Sequence, residues 1–519
     1  MNQEPEGKTQ EPAAPGRLFS FPPFAPVPLL ERFRKTKSAR WSAIQGETLL
    51  KLFNRVAKRV PAYTEFLKQQ GISASEIRTT EDLNKVPAVS KKNYLHSNAF
   101  ADLFWDKSLR SHHILTSTSG STGKPTYFAR TATVDEQSSQ IHELIFSTSS
   151  LDERKSTLVI VCFGMGVWIG GLITYQAFDL LARRGYPISI LTPGINKAEI
   201  LKTLRDLAPQ YQQIVIAGYP PFLKDVIDDA VAQGTNFKKH SVMLLFAAEA
   251  FTERFRDHVA HKAGIENVLT DTANIYGSAD LGTMAFETPL SILARRLATK
   301  DKKLFNTLFK GTMKTPTLAQ YVPSFVTFEE SEGQLLISGD SAIPLVRYAI
   351  GDHGGVYTFA QMIELCAAHG IDLMKEAHDA GIAETVLELP FVYVYERADL
   401  ATTLYGLQIY PETIKEVLLN EQFHSRVTGK LTLITKFDQD QDQYVEVNVE
   451  LKPGAEANVS FNSVLVSEIV RNLREKNSEY HELYEFIGAR AEPRVVTWPY
   501  EDPLYFKPGT KQSWVLRTP

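Results

Sequence analysis

"STSGSTGKPT", residues 117–126, sets Gly120 and Gly123 among short hydroxyls and closes on Lys124 and Pro125. Glycine lets successive backbone N–H groups turn toward an anion with no Cβ in the way, and hydroxyls and an ammonium add further donors. The stretch therefore reads as a loop that grips a phosphate. It is not the familiar G-x-x-x-x-G-K-[ST] loop, because Thr118 stands five before Gly123 and Pro125 follows Lys124. A flexible Ser/Gly linker is the competing reading. It accounts poorly for the Lys-Pro close and for the strand-like "HHILT" (112–116) that leads in.

The rest of the chain narrows what such a loop could serve. At 519 residues the chain is too long for one core, so two or more domains are expected. Lys plus Arg (56) nearly balance Asp plus Glu (60), a net charge of −4, which argues against a dedicated nucleic-acid surface. Cys162 and Cys366 lie far apart with no C-x-x-C or Cys/His cluster, so neither a disulfide framework nor a zinc site is suggested and a reducing, cytoplasmic setting is expected. The acidic, Pro-containing start "MNQEPEGKTQEPAAPG" has no apolar core and reads as a disordered tail over residues 1–20.

"LVIVCFGMGVWIGGLITYQAF" (158–178) carries no charge over 21 residues and is long enough to span a membrane. Four glycines interrupt it and "DLLARRG" continues it amphipathically, so a buried strand, a glycine turn and a helix from near Trp168 are expected, with no membrane span. Its G-x-G-x-x-x-G spacing, with no acid about twenty residues on, does not fit a dinucleotide fingerprint. Residues 45–95 read as helices. Beyond them "TLVIVCF", "PISILT", "QIVIAG", "VMLLFAAE" and "ANIYG" alternate with helical stretches, the pattern of α/β layering with largely parallel strands. Shorter β runs over 321–357 suggest a separate β-rich subdomain. Residues 358–386 read as an inserted helical pair, and the chain after Arg397 is long enough for a small α+β domain.

In this order the motifs resemble the adenylate-forming enzymes, and within them the phenylacetate–CoA ligase branch. "RVPAYTEFLKQQGISASEIRTTEDLNKVPAVSKKNYL" is similar to that branch's helical opening. Residues 119–125 fit its phosphate loop, and "LLFAAEAFTERFR" its adenine segment at Ala247, Ala248 and Glu249. "NIYGSADLG" fits Tyr-Gly-x-[ST]-Glu, "PLVRYAIGD" fits Arg-Tyr-x-x-x-Asp, and "ERADLATTLYGLQIYPETI" the hinge motif. There are departures. Ala279 and Asp280 stand where the family has a hydroxyl and Glu, and Tyr405 and Gln408 where relatives carry Arg and Asn.

The resemblance implies a large α/β AMP-binding domain of several subdomains with parallel-rich sheets over residues 21–395, and a small mobile α+β domain over 396–519. It implies ATP-dependent activation of a carboxylic acid to an acyl-adenylate, then transfer to a thiol, with CoA as the favoured co-substrate. ATP would be held by Ser119, Gly120, Ser121, Thr122, Gly123, Ala248, Glu249, Tyr276, Gly277, Ser278, Asp352 and Arg397. Tyr276 offers a flat face to a purine, Asp352 a carboxylate to ribose hydroxyls, and Arg397 a fork of donors. Lys124, Lys511 and Asp280 are the expected catalytic residues, Asp280 also as the Mg²⁺ ligand. Lys511 is preferred to Lys507 because it follows Pro508-Gly509-Thr510. The pivot matches Asp399. The acyl pocket is expected around Phe246, Tyr219 and Phe222, whose aromatic content favours an aromatic or moderately apolar acid. Transfer to a carrier protein, reductase or amine stays open, as do a non-catalytic nucleotide-binding relative and a homodimer.

Overall fold

The computed structural model describes residues 29–111, 113–117, 126–310, 315–397, 402–506 and 515. The phosphate loop Ser119–Lys124, Asp399, Lys507 and Lys511 lie outside the described residues, as does the expected N-terminal tail.

Eleven of the described strands form one sheet. Its half nearer the start of the chain comprises β3 (Thr157–Cys162), β4 (Ile188–Leu191), β5 (Gln213–Gly218), β6 (Ser241–Ala247) and β7 (Thr272–Ser278), paired in parallel in the order β7-β6-β5-β3-β4. The sequences of β3, β5 and β6 are almost wholly apolar because both faces are covered. Leu158, Ile160, Ile214, Ile216, Val242, Leu244 and Phe246 enter one core, and Val159, Val161, Val215, Ala217, Met243 and Leu245 enter another. The period of two thus divides each strand between two helical layers. The uncharged run at 158–178 resolves into β3 and the helix Ile169–Arg183, and no helix among the described residues is long and apolar enough to cross a membrane.

The remaining strands are antiparallel. They are β8 (Gly282–Phe286), β9 (Thr317–Gln320), β10 (Val326–Ser331), β11 (Gln334–Gly339), β12 (Leu345–Tyr357) and β13 (Phe391–Arg397), in the order β10-β11-β12-β13-β9-β8-β7. This corrects the separate β-rich subdomain expected over 321–357: β13 pairs with both β12 and β9, so those runs are hydrogen-bonded into the same sheet. Two strands precede the sheet, β1 (Ile114–Ser117) and β2 (Tyr127–Arg130), an antiparallel pair flanking the phosphate-loop sequence. The insertion does form two helices, Phe359–Ala368 and Leu373–Asp379, packed with the helices Pro289–Lys300 and Lys302–Leu308.

The expectation of helices throughout 45–95 holds only in part. Ser38–Arg59 and Pro61–Gln69 are α-helices, broken at Val60 by the proline that follows, but residues 74–95 contain only single short turns. There Asp82 accepts hydrogen bonds from the N–H groups of Arg78 and Thr79 at 3.0 Å each, a local alternative to helix.

After Arg397 come a hairpin of β14 (Thr402–Leu404) and β15 (Leu407–Ile409), then a three-stranded sheet. That sheet consists of β16 (Val427–Phe437), β17 (Gln443–Leu451) and β18 (Arg494–Trp498), covered by the helices Pro411–Leu418, Val459–Lys476 and Ser478–Ile487. The core beneath β3, β5 and β6 runs on without a break into this C-terminal unit through Leu404, Tyr405, Leu407 and Ile409.

Candidate active site

β6 ends because Ala248 takes φ +77°, a left-handed conformation that costs a Cβ-bearing residue roughly 1–3 kcal/mol and persists only where its surroundings impose it. The surroundings are Asn274 of β7, whose Nδ2 donates to the Glu249 carbonyl at 3.0 Å, and the Glu249 carboxylate, which accepts from the Gly406 N–H and from Gln443 Nε2 at 2.7 Å. Asn274 is itself fixed by a buried charge network. Its N–H donates to Glu287 Oε2 at 2.9 Å, and Glu287 is held at 2.8 Å by the Arg256 guanidinium and at 3.3 Å by Arg295, with Glu253 as the second carboxylate. Arg256 and Glu287 have no exposed side-chain surface, so each charge depends on the others.

Along β7, Tyr276 donates from its hydroxyl to Asp352 Oδ2 at 2.5 Å. Asp352 is buried on β12, and Arg397 is its register partner on β13. Tyr276 and Asp352 lie four places apart in the sheet order, roughly 19 Å if the sheet were flat at the usual strand spacing. A direct hydrogen bond therefore requires the antiparallel half to curl over, which the positive φ of Gly351 (+98°) and the irregular register at Asp352/His353 assist. The same curl brings the Tyr348 hydroxyl of β12 to Asp280 Oδ1 at 2.6 Å. Asp280 is buried in the β7–β8 turn, with its own N–H donating to Ser278 Oγ at 3.2 Å. Gly277 sits so tightly there that a Cβ would fall 2.9 Å from the Gly282 carbonyl oxygen.

Tyr276, Gly277, Ser278, Asp280 and Asp352 are thus gathered at one place, with the backbone of Arg397 alongside. Among the described residues no group of three or more His, Cys, Asp or Glu side chains is positioned to hold a metal. A cation here would take oxygens from Asp280 and from a bound polyphosphate, the ligand set Mg²⁺ ordinarily uses.

The three expected acyl-pocket residues part company. Phe222 and Phe246 are fully buried in the core, Phe246 edge-on to Phe251 at 5.0 Å. Tyr219 stands at the border of that core, edge-on to Phe163 at 5.1 Å and beside Gly164, where an added Cβ would lie 3.6 Å from its hydroxyl. Trp168 is the nearest neighbour of that glycine position at 3.1 Å.

The residues that position the site include the arginine that opens the Arg-Tyr-x-x-x-Asp motif. Arg347, at φ +51°, sends its guanidinium to the carbonyls of Leu83 and Val86 and fixes the start of β12. Glu287, just before the helix Pro289–Lys300, and Arg295 within it read in the sequence as ordinary charges with no motif to announce them. Burial at this scale leaves its trace only in the three-dimensional pairing.

A curled mixed sheet carrying this Tyr/Asp pair, followed by a C-terminal α+β layer, accords with the likeness to adenylate-forming ligases that the motifs imply. The likeness extends over nearly the whole chain: it is 22% identical over 477 residues to phenylacetate–coenzyme A ligase of Aromatoleum evansii, covering 90% of this chain and 92% of that one. Among solved structures it is similar to 2-hydroxyisobutyryl-CoA ligase with 2-HIB-AMP and CoA in the thioesterification state, at TM-score 0.60 and 16% identity, covering 94% of this chain and 91% of that one. The open conformation of that ligase gives TM-score 0.52 at 15% identity, covering 94% and 93%. No family model matches the chain. These likenesses bear out the adenylate-forming superfamily and the phenylacetate–CoA ligase-like branch that the motifs imply.

Proposed function

We propose that the protein activates a carboxylic acid with ATP and transfers the acyl group to the thiol of CoA. The observation that carries this reading is the Tyr276–Asp352 pair, closed across a curled sheet at the motif positions and backed by the likeness to phenylacetate–coenzyme A ligase over nine-tenths of the chain.

In the first step a carboxylate oxygen, ionised at pH 7, forms a bond to the α-phosphorus of ATP while the bond to the β-phosphate oxygen breaks and pyrophosphate leaves. No general base is needed. The task is to align two anions and compensate their charge. Asp352 accepts from the ribose hydroxyls, Tyr276 and the Ala248–Glu249 turn lie against the base, and the Ser119–Lys124 loop grips the β- and γ-phosphates. Asp280, steadied by Tyr348, would hold Mg²⁺, which supplies further charge compensation. Lys511 supplies the charge between carboxylate and α-phosphate. In the second step the thiol sulfur bonds to the acyl carbon, its proton is lost, and AMP leaves as the mixed anhydride breaks. The C-terminal domain turns about Asp399 between the steps. Tyr219, Gly164 and Trp168 face the acyl group, with Phe222 and Phe246 behind them in the core, and the aromatic lining favours an aromatic or moderately apolar acid. The two buried, separate cysteines accord with a reducing cytoplasmic setting.

Hydroxylamine trapping tests this reading. With ATP, Mg²⁺ and phenylacetate or a related acid the protein should yield the hydroxamate, and CoA should accelerate AMP release. Stimulation by a carrier protein or amine in place of CoA would reassign the acceptor. ATP binding with no hydroxamate from any acid would favour a non-catalytic relative.

A further inference from the structure

The hairpin of β14 and β15 pairs Leu404 with Leu407, which leaves Tyr405 and Gly406 as a two-residue turn with φ +48° and +84°. Two positive φ values make a type I′ turn, a shape suited to Asn-Gly and unfavourable for tyrosine. Yet Tyr405 is only 1% exposed. Its hydroxyl donates to Asp225 Oδ2 at 2.7 Å, and its N–H donates to Gln443 Oε1 at 2.6 Å. Strain of this kind survives where surrounding contacts over-determine it, and it gathers at clamps and switches.

Those contacts span the boundary between the C-terminal unit and the large sheet. Asp225 lies on the helix Pro220–Ala232, whose capping residue is Tyr219. From the C-terminal side, Arg490 reaches Asp225 with Nε and Nη2 at 3.3 Å each and reaches Asp442 at 2.8 Å. Asp442 in turn takes Lys224, which also holds Asp228 at 2.8 Å. Burial pushes the Asp225 carboxyl up while Arg490 and Tyr405 pull it back; burial pulls the Arg490 guanidinium down, but Asp225 and its neighbours outweigh it and leave that group raised. The tip of the turn is seated just as closely. A Cβ on Gly406 would fall 2.4 Å from the Tyr219 ring, and the Gly406 N–H donates to Glu249. One helix therefore carries both the Tyr219 ring under the turn and the carboxylate that anchors it.

We propose that Asp225 is a positioning residue of the second half-reaction: gripped by Tyr405 and Arg490, it latches the Tyr405–Gly406 turn between Tyr219 and Glu249, in the orientation that admits the thiol. The inference rests on the adenylation reading above. It gives Tyr405 a role at a place where relatives carry arginine: the hydroxyl turns inward to an aspartate of the large sheet's own helix. Orientation for the first step requires this latch to open, so weakening it should cost the second half-reaction and spare the first.

The experiment uses the full-length protein as Asp225→Asn and Tyr405→Phe, the latter keeping the ring that fills the core. Three readings are taken: phenylacetate-dependent ATP–pyrophosphate exchange, thioester formation from synthetic phenylacetyl-adenylate and CoA, and energy transfer between dyes on cysteines introduced as Gln69→Cys and Glu475→Cys. Both sites are exposed and the native cysteines are buried, so labelling is selective. Removing a hydrogen bond to a buried charge should slow thioester formation by about 10- to 100-fold, leave exchange within about twofold, and shift the energy transfer away from its value in the unaltered protein. Asp225→Glu should restore part of the thioester rate. Equal loss in both half-reactions, or unchanged thioester formation, would overturn the latch. If the unaltered protein turns over neither phenylacetate nor its adenylate, phenylacetate is not its acid, and the functional reading fails only if no acid supports exchange. The latch is then judged by energy transfer alone, and an unchanged signal in both variants overturns it.

Discussion

Tyr276 and Asp352 make the sharpest residue-scale test, because neither residue anchors the core and each has a partner in the other. Asp352→Ala removes a carboxylate that hydrogen-bonds charged or polar ligand groups, an interaction worth about 1.5–3 kcal/mol. The KM for ATP in pyrophosphate exchange should rise roughly 10- to 100-fold with a smaller change in kcat. Tyr276→Phe keeps the flat ring and loses only the hydroxyl to Asp352, so its KM should rise less. Equal ATP dependence in both variants and the unaltered protein would remove these residues from the nucleotide site. Asp280 carries a different lesson. It is one methylene shorter than the family's glutamate, yet Tyr348 fixes it at 2.6 Å, so the turn keeps a defined carboxylate despite the substitution.

At the scale of elements, the four charges under β7 hold the turn at Glu249 and the strand bearing Tyr276 together. Glu287→Ala leaves Arg256 and Arg295 buried without their shared carboxylate, and breaking such a pair costs about 3–5 kcal/mol. Chemical denaturation should show that loss, and a change under 1 kcal/mol would contradict the network's structural role. The docked hairpin also has a pH dependence. Burial pushes Glu249 up to about 7, against the pull of Gln443 and Gly406, and pushes Glu479, on the helix Ser478–Ile487 and near enough to Tyr219 to help raise its hydroxyl, up to about 7 with Glu482 adding to the rise. A carboxyl raised on docking binds protons more strongly in the docked form. Docking is then strongest below the ordinary carboxylate pKa, weakens as pH rises from about 4.5 to about 7, and levels off above that. Energy transfer across the boundary should report more docked protein at pH 5.5 than at pH 8, and Glu249→Gln with Glu479→Gln should flatten the profile.

Much of this was legible in the sequence, for identifiable reasons. "QIVIAG" is β5 residue for residue, and "TLVIVC" is β3, because strands buried on both faces must be apolar throughout. "VMLLFAAE" runs past the end of β6 because periodicity cannot show that Ala248 turns to positive φ. The C-terminal helix Val459–Lys476 begins where Asn458 caps it by accepting from the Phe461 N–H, an N-terminal signal legible in the sequence. Tyr276 and Asp352, read from two separate motifs, are hydrogen-bonded to each other, and both were visible because each motif fixes residue type at a set spacing. Asp225 was not: in "FLKDVIDD" it reads as a solvated helix charge, and the Tyr405 that gives it meaning lies 180 residues on.

For the whole molecule, the proposed two-step reaction requires two orientations of the C-terminal unit, one delivering Lys511 to the α-phosphate and one seating the Tyr405–Gly406 turn. A point charge placed where negative charge builds is worth roughly 10²–10³ in rate, so Lys511→Ala should slow pyrophosphate exchange by about that factor and largely spare thioester formation from pre-made adenylate. A selective defect in Lys507→Ala would move the assignment there, and equal loss in both halves would contradict alternation. All of this depends on one reaction. ATP–pyrophosphate exchange, measured with Mg²⁺ over a panel of aromatic and aliphatic carboxylic acids and without any acceptor, tests it most directly. Acyl-adenylate formation requires acid-dependent exchange, strongest with aromatic or moderately apolar acids and lost in Asp352→Ala at low ATP, whereas ATP binding with no pyrophosphate exchange for any acid in the panel would rule it out.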